Sequence, residues 1–202
     1  MKKIFFLSLF LCSIIACQSQ QSAETPVVKP VKVKAAAPTF KVPSHYKGTI
    51  PAEGLPIPTD YPYNIALTDA DGNELNTSEV FKQNGKPTVV LFWLTTCYPC
   101  GLELKALKEK FPQWQKEEDF NFYAISTDFK KNYGNFVKRV KSSGWEFETY
   151  HDTKRAFAKM IPGNLNGLPQ VFIYDADGNI VYHKRKYSTG DEDKLFEKVK
   201  SL

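Results

Sequence analysis

Thr95-Thr96-Cys97-Tyr98-Pro99-Cys100 stands between two segments of opposite periodicity. Before it runs Val89-Val90-Leu91-Phe92-Trp93, the most apolar short stretch outside the N-terminus, bounded by Gly85-Lys86-Pro87. An unbroken apolar run of this length, entered through a breaker, predicts a central strand over 88–93. After it come Leu104, Leu107, Phe111 and Trp114 at helical spacing, which predicts a helix with one buried face. Pro112 is expected to kink or end that helix, because it lacks an N–H and crowds the carbonyl of Lys108. The two cysteines therefore fall on a strand-to-helix junction. A helix start offers unpaired N–H groups and the positive end of the macrodipole, and both favour a thiolate over a thiol. Sulfurs three positions apart can form or release a disulfide. A structural zinc site would need four ligands, and the sequence holds no second Cys-x-x-Cys.

Composition narrows the reading further. The 202 residues are 42 % hydrophobic and 14 % aromatic, enough for one ordinary core with extensions. The formal charge of +5 becomes +3 if Lys2 and Lys3 are removed with a leader, and the basic residues are scattered, which does not point to nucleic acid. His183-Lys184-Arg185-Lys186 is the exception, and it reads as a strand face or edge guarded by charge. His151 and His183 are expected at the surface. Of the four cysteines, Cys12 and Cys17 lie in the N-terminal apolar segment, so the folded part keeps only Cys97 and Cys100. With no disulfide framework available, that pair is expected to serve exchange rather than stability.

Residues 1–17 begin Met1-Lys2-Lys3, continue as an apolar run from Ile4 to Ile15 and end in Ala16-Cys17. The run is shorter than the ~20 residues a spanning helix needs, so it reads as a secretory signal. Ile14-Ile15-Ala16-Cys17 resembles the bacterial lipobox, which would make Cys17 a lipid-modified membrane anchor and discard Cys12. Residues 18–59 are rich in Pro and Lys, with seven prolines from Pro26 to Pro58, and are expected to form an extended disordered tether. Its polyproline-like limit is on the order of 100 Å and its coil average ~35 Å, so a head at 60–202 could work clear of a bilayer.

Within that head Asp69-Ala70-Asp71-Gly72-Asn73 recurs identically at Asp175–Asn179, each time between apolar residues. Asp-Gly in that setting predicts a hairpin turn, and Glu74 stands where a calcium loop requires Gly. Asn76-Thr77-Ser78-Glu79 can cap a short helix through Phe81. Phe120–Ser126 predicts a strand with Phe122 and Ala124 alternating against polar neighbours. Tyr133, Phe136, Val137 and Val140 predict a helix stopped by Gly144. A brief strand at 147–150, a short helix from Asp152 with Phe157 and Met160 inward, and a hairpin after Gly167-Leu168-Pro169 follow. Thr189-x-x-Glu192 is expected to cap a last helix with Leu195, Phe196, Val199 and Leu202 inside. Strand, helix, strand, helix, hairpin, helix predicts an α/β fold with a mixed sheet.

A Cys-x-x-Cys at the end of the first central strand of such a unit is the thioredoxin-like redox placement. From Tyr61 to Leu202 the chain resembles the membrane-tethered thiol–disulfide oxidoreductases of the TlpA/ResA type in the thioredoxin superfamily. The residues carrying the likeness are Phe92-Trp93, Cys97-Tyr98-Pro99-Cys100, Glu103, Gly167-Leu168-Pro169 and the Asp175-x-x-Gly178-Asn179 hairpin. The resemblance implies a three-layer thioredoxin-like fold, a central mixed sheet flanked by helices, with an extra N-terminal β-hairpin. It implies that Cys97 attacks and Cys100 resolves, that Pro169 is cis beside the disulfide, and that the backbone of Leu168 pairs with substrate. Trp93, Tyr98, Pro99, Leu168 and Pro169 would form the substrate surface, and the redox disulfide itself would be the only cofactor. Disulfide-containing proteins would be the substrates, a membrane thiol donor would supply electrons, and the protein would act as a monomer in the cell envelope.

Two departures from the pattern stand out. Leu91 replaces the buried Asp of thioredoxin, and Thr96 replaces the Trp that often precedes the first cysteine. Glu103, matching a family glutamate one turn past Cys100, is then the candidate proton carrier, with an exposed first-turn acid as the alternative. Pro99 resembles the reducing pattern, so a reductant acting on targets such as apocytochrome c is expected. A peroxidase would need Pro-x-x-x-Thr-x-x-Cys, but Val90 and Leu94 hold those places. A copper-binding assembly factor would need Cys-x-x-x-Cys and a later His, and a non-catalytic tethered module would have no need of both cysteines.

Overall fold

The computed structural model describes residues 55–202. The expected signal segment, Cys17 and the tether up to residue 54 lie outside the described residues. Seven strands, β1 (Ala66–Thr68), β2 (Glu74–Asn76), β3 (Thr88–Trp93), β4 (Asn121–Ser126), β5 (Glu148–His151), β6 (Gln170–Tyr174) and β7 (Ile180–Arg185), form one sheet in the order β2-β1-β5-β4-β3-β6-β7. Among the described residues five α-helices accompany it: α1 (Thr77–Val80), α2 (Tyr98–Glu117), α3 (Tyr133–Ser143), α4 (Phe157–Met160) and α5 (Asp191–Lys200). Strand β3 pairs parallel with β4 and antiparallel with β6, so the sheet is mixed where a helical crossover gives way to a hairpin.

Every residue of β3 and β4 is buried. Val89, Leu91 and Trp93 face a layer built on α2, α3 and α5, while Val90 and Phe92 face a second layer with Phe81, Tyr123, Phe157 and Tyr174. Burial on both faces explains why β3 reads as an unbroken apolar run. It also corrects the alternation expected for β4, since Tyr123 packs into the second layer and its hydroxyl donates to the Val80 carbonyl at 2.9 Å. The second layer is closed by the segment that leads into β1. Ile57 is buried and exchanges two backbone hydrogen bonds with Ile180 at 3.0 and 2.8 Å, ahead of the expected domain start at Asp60. Tyr61 and Tyr63 follow it into an aromatic cluster with Phe81, Tyr174 and Phe157.

Local chemistry sets the ends of several elements. Asn76 caps α1 by accepting from Ser78 N at 2.9 Å, and the Glu79 carboxylate accepts from Asn76 N at 3.1 Å, a complete capping box. Asn76→Ala is expected to cost about 1 kcal/mol, read as a lower urea midpoint with unchanged slope. Gly144 ends α3 with φ 59°, the left-handed conformation that glycine adopts without penalty. Asp69 and Asp175 each close their turn by accepting from the backbone two and four residues on.

Other expectations give way to tertiary packing. Helix α2 runs through Pro112 to Glu117. An interior proline costs about 3 kcal/mol, but beyond it Trp114 stacks on Phe196 of α5 at 4.7 Å, and burial of those rings offsets the lost hydrogen bond. Met160 points out of α4 and is exposed, whereas Phe157 is buried. Thr189 does not cap α5. Gly190 does, at φ 91°, and the acids of the first turn take the free amides, Asp191 from Ser188 and Glu192 from Gly190. Leu202 lies beyond the helix and is exposed. Both histidines expected at the surface are buried: His151 against Tyr133 and Phe136, and His183 stacked on Phe172 with its Nε2 2.9 Å from Gln170 Oε1.

Candidate active site

The C-terminal end of β3 delivers the redox loop to the surface, and α2 begins on its first cysteine. Cys97 is the N-cap of α2, and the Cys100 amide points at its sulfur at 3.3 Å. The two cysteines form a disulfide with a Cα–Cα distance of 5.2 Å. Their exposures differ in the way attack and resolution require: Cys97 is half-buried and Cys100 is fully buried. When the bond opens, the amides of the first helical turn and the helix dipole favour negative charge at the outer sulfur. Pro99 occupies the first turn of α2, where its missing N–H leaves no bond unmade. Tyr98 is 78 % exposed.

The loop is braced from below. Asp128, buried just after β4, accepts hydrogen bonds from Thr95 N at 2.8 Å, Thr95 Oγ1 at 2.9 Å and Ser126 Oγ at 2.8 Å. A turn then closes from Cys97 N to the Leu94 carbonyl at 3.1 Å. Asp128 carries no motif or periodicity that would single it out in the sequence. Its role depends on the parallel pairing that sets the ends of β3 and β4 side by side.

Pro169 follows a cis peptide bond from Leu168. The antiparallel register places Gln170 opposite Phe92, so Pro169 comes opposite Trp93 at the strand end that leads to Cys97. The Pro169 carbonyl is taken by Lys186 N at 2.8 Å. Among the described residues the backbone N–H and C=O of Leu168 have no partner, which leaves a short open edge beside the redox loop. Trp93, expected on the substrate surface, is 1 % exposed and packs edge-on to Trp145 at 5.5 Å. It supports the loop from the core and does not meet a partner.

Glu103 is 3 % exposed, on the same buried face of α2 as Cys100 and Leu104, and its Oε2 has no hydrogen-bond partner among the described residues. The alternative of an exposed first-turn acid is therefore corrected. Burial pushes its pKa up from 4.5 to about 8, with Lys184 pulling it down and Asp191 and Glu192 pushing it up. Leu91 leaves the strand without an acid, and the buried carboxyl stands on the helix instead. Lys184 and Tyr182 project from β7 on the face that packs against α2 and α5, and Lys184 is held by Asp191. No sequence signal links Lys184 to Glu103; the hairpin register does. Lys184→Met removes the neighbouring cation that lowers the Glu103 pKa, so the carboxyl is expected to keep its proton to higher pH. Carboxyl NMR titration of Glu103 would read that shift, and an unmoved midpoint would exclude the coupling.

Among the described residues no three His, Cys, Asp or Glu side chains are grouped to hold a metal ion, and no helix is long and apolar enough to cross a membrane. Residues 57–183 match the AhpC/TSA family. A thiol–disulfide oxidoreductase ResA of Bacillus thuringiensis subsp. konkukian is 27 % identical over 138 residues, covering 64 % of this chain and 70 % of that protein. The solution structure of a thioredoxin-like protein from Porphyromonas gingivalis is 33 % identical, covers 69 % of this chain and 90 % of that one, and superposes with a TM-score of 0.58. StoA from Bacillus subtilis, 18 % identical, covers 67 % of this chain and 97 % of its own with a TM-score of 0.53, a likeness of fold. With a half-buried and a fully buried cysteine joined at the head of α2 and a cis proline at the facing strand end, the chain belongs to the AhpC/TSA family, as a TlpA/ResA-type thiol–disulfide oxidoreductase of the thioredoxin superfamily.

Proposed function

We propose that the protein reduces disulfides of other proteins in the cell envelope, tethered to a membrane through lipid on Cys17 and acting as a monomer. The observation that carries this reading is the asymmetry of the pair: Cys97 can be reached from solvent, and Cys100 cannot. In the dithiol form the Cys97 thiolate attacks a partner disulfide, forming a mixed disulfide and releasing one partner sulfur as thiolate. Cys100, deprotonated, then attacks Cys97 Sγ, the mixed disulfide breaks, and the second partner sulfur leaves. Two electrons pass to the partner, and the Cys97–Cys100 disulfide is left for a membrane thiol donor to reduce.

Glu103 suits the proton step. With a pKa of about 8, the ionised form of Glu103 is a strong enough base to take the Cys100 proton, whereas the carboxylate of an exposed glutamate, though fully ionised near neutral pH, is too weak a base to hold it. The open backbone of Leu168 supports docking of an extended partner segment, since an unpaired strand edge offers one N–H and one C=O to a peptide. Pro99 favours the reducing direction, with apocytochrome c cysteines as the proposed target. The peroxidase alternative still lacks its motif, because Val90 and Leu94 replace the required Pro and Thr.

Reduction of insulin disulfides, followed as turbidity with dithiothreitol as electron source, tests the activity. Turnover above the dithiothreitol background is expected with the intact pair. A rate equal to background would leave a binding module in place of an enzyme.

A further inference from the structure

Beside Cys97 the surface is hollowed in a way the exchange chemistry does not require. A recess of about 390 Å³ is lined by Thr95, Thr96, Cys97, Tyr98, Gly101, Leu102 and Arg139. A second, of about 300 Å³, adds Asn135, Lys138 and Ser142 and shares Thr95, Thr96 and Arg139 with the first. Together they make one trough that runs from the reactive sulfur across to α3. Its lining holds two cations and no acid. Arg139 and Lys138 are both exposed, and neither forms an ion pair among the described residues. From Lys130 to Lys141 the chain has five basic residues and no acid, and among the described residues only Lys141 is neutralised, by Asp71 at 2.9 Å. The nearby Asp128 is buried and committed to Thr95 and Ser126. At the mouth of the trough Tyr98 and Leu102 expose apolar surface that the fold itself leaves uncovered.

We propose that this trough is a substrate subsite that selects an acidic side chain close to the partner's reacting cysteine, with the carboxylate held by Arg139 and Lys138 and an apolar neighbour resting on Tyr98 and Leu102. The proposal rests on the exchange reading above and adds the class of partner to it. Thr96, small and exposed, lines the trough together with Cys97 and Arg139. Arginine suits the task because its planar fork binds a carboxylate through two parallel hydrogen bonds. Charge at such a rim acts mainly on the rate of encounter and on the choice of partner, and it weakens with salt.

The test uses the reduced protein and three disulfide peptides that differ only in a glutamate, glutamine or lysine three residues from the cysteine. The glutamate peptide is expected to show a single-turnover second-order rate constant about tenfold above the lysine peptide, a gap that shrinks near 0.5 M salt. The double variant Lys138→Glu with Arg139→Glu is expected to reverse that order, and the double variant Lys116→Glu with Lys154→Glu, which makes the same change of charge on two exposed cations outside the trough, to keep it. Each selectivity is a ratio within one protein, so a loss of folded protein cancels. Equal rates for the three peptides in the wild type would overturn the subsite and leave exchange standing. Failure on every peptide, while the reduced pair still reacts with neutral 4,4′-dithiodipyridine, would overturn protein disulfide reduction and the subsite with it.

Discussion

Cys100→Ala is expected to turn the enzyme into a trap. Insulin reduction should fall by about 10³-fold or more, because the mixed disulfide on Cys97 loses the thiolate that resolves it. Alkylation of Cys97 should persist, since its position at the head of α2 depends on the Thr95–Asp128 brace and the Leu94 turn, which the substitution leaves in place. Cys100 is fully buried, so a charged alkylating reagent reads Cys97 alone in the reduced wild type. Expressed in the native host, the variant should accumulate covalent adducts that dithiothreitol releases, and their identity would name the partners. A variant with reactive Cys97 and no adducts would count against disulfide exchange with proteins.

Glu103→Gln is expected to change how stability depends on pH. In the unfolded chain the carboxyl ionises near 4.5, and in the folded protein burial holds its proton to about 8. Between those values the native state keeps a proton that the unfolded state has lost, so the contribution of Glu103 to stability is fully present below about pH 4.5 and declines as pH rises to about 8. At about 1.4 kcal/mol for each pH unit the loss reaches several kcal/mol at most. Glutamine does not titrate, so the variant should gain on the wild type between pH 5 and 9, measured by urea unfolding of the disulfide form. Curves for the two proteins that run parallel across that window would show that Glu103 is not the titrating group. In the dithiol form the same substitution should alter the pH profile of Cys97 alkylation, whereas a purely structural glutamate would leave it unchanged.

Much of the site was legible because its signals are local. The central strand, the helix start on Cys97, the capping box at Asn76, the stop at Gly144 and the two Asp-Gly turns each depend on a few neighbouring residues. The cis bond before Pro169 was legible only through the family resemblance, since proline alone is seldom cis. Glu103 was visible as a candidate by its place one turn past Cys100, but its burial was not: a glutamate in the first turns of a helix is ordinarily solvated. The bracing carboxylate of Asp128 and the cation Lys184 had no signature, because each reaches the site through strand pairing.

By itself the sequence determined the order of strands and helices, the junction that carries Cys97 and Cys100, and the chemistry those two sulfurs can perform. Periodicity, turn residues and caps act within one or two turns of chain, and that range is what a linear pattern can express. Only the tertiary structure decided that Trp93 is core, that α2 continues through Pro112, that His151 and His183 are buried, and that burial raises the pKa of Glu103 near Lys184. It also placed Arg139 of α3 and Cys97 in the lining of one recess. Each of these depends on apolar burial and charge between segments far apart in the chain, and those energies exceed the local preferences that would have decided otherwise.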